Sequence, residues 1–224
     1  EPRVRVSGQP MLVSSRSVDG GRMMQSISFR IGVLIALAFS ATAQAFDSQQ
    51  FFAAAPLAPA NSNRIISVPQ FDPMIGFLEA VELSLFGHVE GMARFESLNS
   101  TGRTVTMNLA ARIDLTNIDG SLIASVLPLT SVTDIVTGYD GTLDFAGTSG
   151  RTYSSLMAES GSPLLQFTDV STLNLFTGQG LVNFPVTSMG ASTTSGPGNV
   201  VYQFSTATSA WVQVTYRFAA VPEP

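Results

Sequence analysis

The chain has 224 residues, no cysteine, and eleven basic side chains, all of them arginine. Cysteine absence removes disulfides, thiolate metal sites and a cysteine nucleophile together, and charged residues make up 12% of the chain, about half the usual ~25%. Beyond residue 45, six arginines face fourteen acids, a balance of −8, which carries no electrostatic footprint for nucleic acid and no basic patch for an anionic membrane.

Residues 1–22, EPRVRVSGQPMLVSSRSVDGGR, precede two start methionines, Met23 and Met24, and read as translated upstream sequence. Residues 23–45 read as a signal-peptide helix. Arg30 supplies a positive flank, Ile31 to Phe39 form an apolar run, and Ala43-Gln44-Ala45 has the small-x-small spacing that signal peptidase accepts. The run is too short for a spanning helix of ~20 residues, so cleavage is expected between Ala45 and Phe46. Signal peptidase is therefore an expected partner.

Residues 46–64, rich in Ala, Pro and Asn, are expected to be an extended or mobile leader. From residue 65 to 218 the pattern is all-β. Val81, Leu83, Leu85, Gly87, Val89, Gly91, Ala93 and Phe95 alternate with mostly polar neighbours, which indicates a long strand with one buried face. After the turn LNSTGR, Val105, Met107, Leu109, Ala111, Ile113 and Leu115 repeat the alternation. The two runs are expected to pair as an antiparallel hairpin.

Turn signals then recur at NIDG, GYDG, GTSG, ESGSP, GQG and SGPGN, between short apolar or β-branched runs. The last strand puts Val212, Val214, Tyr216 and Phe218 on one face, and Trp211, Gln213, Thr215 and Arg217 on the other. YSSLMAESG, residues 153–161, is the one stretch with a helical turn in view. Together these elements predict an antiparallel β-sandwich, jelly-roll-like in its many short strands and Gly-rich turns.

Chemistry-bearing residues are few. His88 is the sole histidine, on a polar strand face with Glu82, Glu90 and Arg94; it reads either as a general base or as a cross-strand surface partner, and no serine stands in a nucleophile setting to favour the first. Asp134, Asp140 and Asp144 border a Gly-rich loop. Their oxygens suit calcium, the one cofactor the residues admit, while Asp-Gly pairs equally build ordinary turns. Trp211, Tyr139 and Tyr153 are candidates for stacking on sugar rings, so extracellular polysaccharide is a candidate partner; aromatics on a sandwich also serve as packing. A hydrolase would need two acids facing each other, and nothing singles out two of the fourteen. Asn99-Ser100-Thr101 fits a glycosylation pattern and also a turn.

The chain reaches Val221-Pro222-Glu223-Pro224 directly after the last strand. Proline cannot continue a ladder, so these residues form a stiff spacer. Together with the signal peptide they resemble the PEP-CTERM proteins of Gram-negative bacteria, in which this motif opens a sorting region (here residues 219–224) handled by an exosortase. Residues 70–115, beginning Gln70-Phe71-Asp72-Pro73, resemble the start of the choice-of-anchor E domain, as do GQGLVNFPV and WVQVTYRF. The likeness covers roughly residues 65–218. It implies a surface or matrix protein, sorted by an exosortase-type enzyme, with a structural or adhesive role, no enzymatic activity and no catalytic residues to carry over. A carbohydrate- or calcium-dependent binding module is the alternative.

Overall fold

Alternation of apolar and polar residues decides this fold, because each strand must cover one face and can leave the other wet. The structure is a computed structural model that describes residues 46–196 and 198–221. The upstream segment, the expected signal peptide with Ala43 and Ala45, and the motif Pro222-Glu223-Pro224 lie outside the described residues.

Eleven strands and one helix follow in order: β1 (Asp47–Pro59), β2 (Ser62–Pro69), β3 (Gly76–Ser97), β4 (Arg103–Thr116), β5 (Leu122–Val126), β6 (Leu129–Val136), β7 (Gly150–Gly161), β8 (Leu165–Phe167), α1 (Val170–Phe176), β9 (Leu181–Gly190), β10 (Thr193–Ser195) and β11 (Val200–Ala220). All strand pairs are antiparallel. The first sheet runs β1-β11-β3, with β7 and β8 in succession along the far edge of β3. The second runs β2-β9-β4, with β5 and β6 on the far edge of β4.

Two interruptions reduce to continuous strands. Val126 faces Ile113 and Leu129 faces Ala110, so β5 and β6 hold one register across Leu127-Pro128, where proline has no N–H for the ladder. Gly190 faces Ala111 and Thr193 faces Asn108, so β9 and β10 are likewise in line. Joining these pairs, and β7 with β8, leaves eight strands in two four-stranded sheets. In chain order of the joined strands the sheets read 1-8-3-6 and 2-7-4-5, a double-sheet jelly roll. The all-β sandwich expected from the sequence is the observed fold.

The expected hairpin of β3 and β4 does not form. They lie in opposite sheets and meet through their buried faces. Val81, Leu83 and Leu85 share one apolar cluster with Ile113 and Leu115, Val89 packs with Leu109 and Ala111, and Ala93 and Phe95 pack with Val105 and Met107. The alternation was therefore read correctly and the partner was not. The true hairpin partner of β4 is β5–β6, closed by the turn at Asn117–Ser121, where Gly120 has φ +85°. Gly87 and Gly91 explain the thin places in β3. A Cβ on Gly87 would stand 2.7 Å from Val126 Cγ2, and one on Gly91 would stand 1.9 Å from the Ser205 carbonyl oxygen.

Two further expectations are corrected. Residues 46–64 are not a mobile leader: β1 occupies most of them, pairing with β11 from Asp47 opposite Phe218 to Pro59 opposite Ala207. Its prolines are tolerated because β1 is an edge strand and its register slips between Ala55 and Ala58, around Pro56. Residues 153–161 are strand, within β7, and the helix lies instead at Val170–Phe176, capped by Asp169, whose side chain accepts the Thr172 N–H. No helix among the described residues is long and apolar enough to cross a membrane.

The widest part of the core is aromatic. Tyr216 is fully buried between Phe51, Phe71 and Phe176, at ring distances of 5.7, 5.9 and 6.1 Å, and its hydroxyl donates to Pro69 O at 2.7 Å. Burial pushes the Tyr216 phenol well above its ordinary pKa.

Candidate functional site

The sandwich has two ends of different character. At one, both termini of the domain emerge side by side, since Asp47 lies opposite Phe218. At the other, the 98–102 turn, the 137–149 loop and Asn199, just before β11, come together through Asn99: its carbonyl accepts the Tyr139 N–H at 2.8 Å, and its side chain accepts the Asn199 N–H at 3.0 Å.

Most of the sequence-chosen residues fall at this second end, which we term the loop end. Apart from Asp134 and Tyr153, they do not converge. Asp134, on β6, accepts the Tyr153 hydroxyl and sits 3.5 Å from Arg151 Nε. Burial, and next that bond to Asp134, push Tyr153 up to about 12. Asp140 accepts the Thr142 N–H at 3.1 Å and the Thr148 N–H at 3.2 Å, and the former chiefly holds its pKa below the usual carboxylate range. Asp144 accepts the Ala146 N–H at 2.9 Å. Each carboxylate shapes its own turn or braces its own strand, and no group of three His, Cys, Asp or Glu suited to a metal occurs among the described residues.

The 137–149 loop is organised by a residue the sequence reading passed over. Glu96, at an even position of β3, counted as one of its polar, outward-facing residues. It is fully buried, because the loop folds over it. Its Oε2 accepts the Phe145 N–H at 2.8 Å, and its Oε1 has no hydrogen-bond partner. Phe145 adopts φ +58°, and Arg94 lies 4.3 Å over its ring. Gly150 is required opposite, because a Cβ there would stand 2.3 Å from Glu96 Oε2. The available signal was Gly150 itself, a glycine opening a strand.

His88 is a surface partner. Its Nε2 is 3.1 Å from Glu90 Oε2 and its Nδ1 is 3.6 Å from Glu159 Oε1 on β7. Glu82 is engaged elsewhere, accepting from Arg217 at 2.6 Å, and Arg94 Nε donates to Gln203 at 2.9 Å. Trp211 lies flat against Phe86, with centroids 5.3 Å apart and planes 8° apart, so one face of its ring is already occupied. Tyr139 is exposed but hangs from the Asn99 end of β3, thirteen positions along from Phe86. At ~3.3 Å per residue that is about 40 Å, too far for one sugar platform.

The end with the termini carries a cleft of about 420 Å³ lined by Asn117, Ile118, Asp119, Leu175, Leu181 and Asn183. Asp119 is turned to the Ser121 hydroxyl and N–H, at 2.7 and 2.9 Å, which hold its pKa low. Asp169, at the start of α1, is lowered to about 2, first by the Ser171 hydroxyl and then by the Thr172 N–H. The sequence signal for this end was the turn NIDG, which sets an isoleucine at its tip.

Phe46, the residue after the expected cleavage site, is exposed beside this end.

No family model and no curated protein matches this chain. Among solved structures it is similar to the infectious bursal disease virus Gx strain structure, at 11% identity over 79% of this chain and 37% of that one, with a TM-score of 0.21. It is also similar to an icosahedral particle of the same virus, at 12% identity over 86% of this chain and 44% of that one, with a TM-score of 0.22. The chain spans less than half the length of these viral chains. Scores this low carry no argument, and the fold assignment rests on strand order and register.

Proposed function

We propose that this chain is an exported, non-enzymatic β-sandwich protein of the bacterial cell surface or extracellular matrix, with a structural or adhesive role. Signal peptidase releases it after Ala45, and an exosortase-type enzyme acts on it through Val221-Pro222-Glu223-Pro224. One observation carries the reading. The ordered ladder begins at Asp47, two residues beyond Ala45, and runs to Ala220, one residue before Val221. The span of the ladder supports processing at Ala45 and at Val221-Pro222-Glu223-Pro224.

Asp47 pairs with Phe218, so the chain enters and leaves the folded unit at one end, and the loop end is turned away from it. Such a layout suits a module presented outward from a surface, its loops available for adhesion. Fold alone does not select this role. The test is export from a Gram-negative host. Placing arginines at Leu34 and Leu37 is expected to hold the chain in the cytoplasm, with the parent chain found in the envelope or medium. Equal cytoplasmic retention of both would overturn the reading.

A further inference from the structure

The end that carries the termini also exposes several large apolar side chains. Met74, Phe77, Ile118 and Val170 are 77%, 74%, 80% and 73% exposed, and Ile75 and Leu175 are exposed with them. Scattered single apolar residues are ordinary, but a contiguous group marks an interaction surface. These residues belong to one connected rim. Phe71 N–H donates to Phe176 O at 2.7 Å, Gly178 N–H to Phe71 O at 2.9 Å, and Val221 N–H to Ile75 O at 3.3 Å. The cleft lined by Ile118, Leu175 and Leu181 joins the Asn117–Ser121 turn to the same rim. The loop end, with Ile135, Tyr139 and Leu143 exposed, holds fewer such side chains.

We infer that this rim docks on a lipid bilayer. The choice of occupant follows from the chain that enters here, and in that respect it rests on the export reading. Only residues 40–45 separate the apolar run Ile31–Phe39 from Phe46. Six residues reach at most ~20 Å, so on the export reading a bilayer that takes up that run lies within that reach of Phe46, where the chain enters this end. The rim stands ready there before cleavage. A second copy of the chain fits less well, because a twofold contact needs a self-complementary patch, whereas here side chains project from separate loop tips.

The electrostatics define the kind of bilayer contact. The rim segments 70–77, 117–122 and 168–183 contain no arginine, and Arg217, nearby on β11, is paired with Glu82 at 2.6 Å. Their carboxylates are turned to local N–H groups: Asp72 accepts from Met74, Asp119 from Ser121 and Asp169 from Thr172. Attachment is therefore apolar, with no attraction to anionic headgroups.

Co-sedimentation with vesicles of phosphatidylcholine, alone and with phosphatidylglycerol added, tests this on the full chain and on the chain processed to begin at Phe46. Both forms are expected to bind, with no gain from the anionic lipid and no loss in high salt. Met74→Ser, Ile118→Ser and Val170→Ser combined are expected to weaken binding of the processed chain by at least about tenfold, since each removes apolar surface from the contact. All three positions are exposed, and unchanged fluorescence of Trp211 checks the fold. Ile135→Ser with Leu143→Ser, at the loop end, is expected to leave binding unchanged. Equal loss in both variants, binding only to the anionic vesicles, or no binding by the processed chain would overturn the inference. So would a concentration-dependent dimer of the processed chain that the rim variant abolishes while vesicles remain unbound. The assay uses purified protein, so failed export in cells leaves its outcome readable and separate.

Discussion

Removal of a single hydroxyl from the aromatic core should give opposite results at neutral and alkaline pH. Tyr216→Phe keeps the ring among Phe51, Phe71 and Phe176 but deletes the 2.7 Å bond to Pro69 O. A net hydrogen bond is worth ~1 kcal/mol, and more if the carbonyl is left unpaired, so the variant should be about 1–2 kcal/mol less stable at pH 7. The phenol has an ordinary pKa near 10.0 that the fold raises. Because the folded value is the higher one, its contribution is intact below pH 10 and declines as pH rises beyond that, while the unfolded chain ionises first. Each pH unit above 10 removes up to ~1.4 kcal/mol while the folded phenol stays protonated. Phenylalanine has no such loss, and the other three tyrosines titrate alike in both proteins. The two stability curves should therefore cross near pH 11. Urea unfolding followed by Trp211 fluorescence, from pH 7 to 12, measures this directly. Curves that stay parallel would refute the reasoning, as would a variant that is the more stable one at pH 7.

Gly91→Ala places a methyl group where the Ser205 carbonyl stands, 1.9 Å away; backbone cannot yield as a side chain can, so a loss above ~3 kcal/mol or failure to fold is expected in a denaturation series. Glu96→Ala should cost about 1–3 kcal/mol by orphaning the Phe145 N–H, whereas Glu96→Gln, which can still accept that bond, should stay within ~1 kcal/mol of the parent. Amide exchange at Phe145 separates the two, accelerating only in the alanine variant. Calcium at ~1 mM should shift the melting temperature by less than about 1 °C, because Asp134, Asp140 and Asp144 are held apart on separate partners.

The buried faces of β3, β4 and β11 could be read in advance from alternation, as Val81–Phe95, Val105–Leu115 and Val212–Phe218 show. What alternation cannot express is where the covering partner sits. A strand with one apolar face looks the same whether its successor lies beside it or across the core, and β3 and β4 turned out to lie across it. β1 was missed because its prolines and alanines carry little strand propensity; its order comes from the ladder with β11. Glu96 was misplaced for a similar reason, since a loop nearly fifty residues later covers it. The capping Asp169 with Ser171 and Thr172 was a local signal for α1 that strand punctuation overshadowed. Of the candidate residues, the sequence placed Asp140, Asp144 and Tyr139 on one loop correctly. It had no means to show that the two carboxylates would be spent on that loop.

The most direct test of the account is the intact mass of the protein recovered from the envelope or medium of a Gram-negative host. Cleavage between Ala45 and Phe46 gives a species beginning Phe46-Asp47-Ser48, with β1 whole and paired to β11, and that is the result expected. A recovered chain that retains residues 23–45, or one cut within Asp47–Pro59, would contradict it.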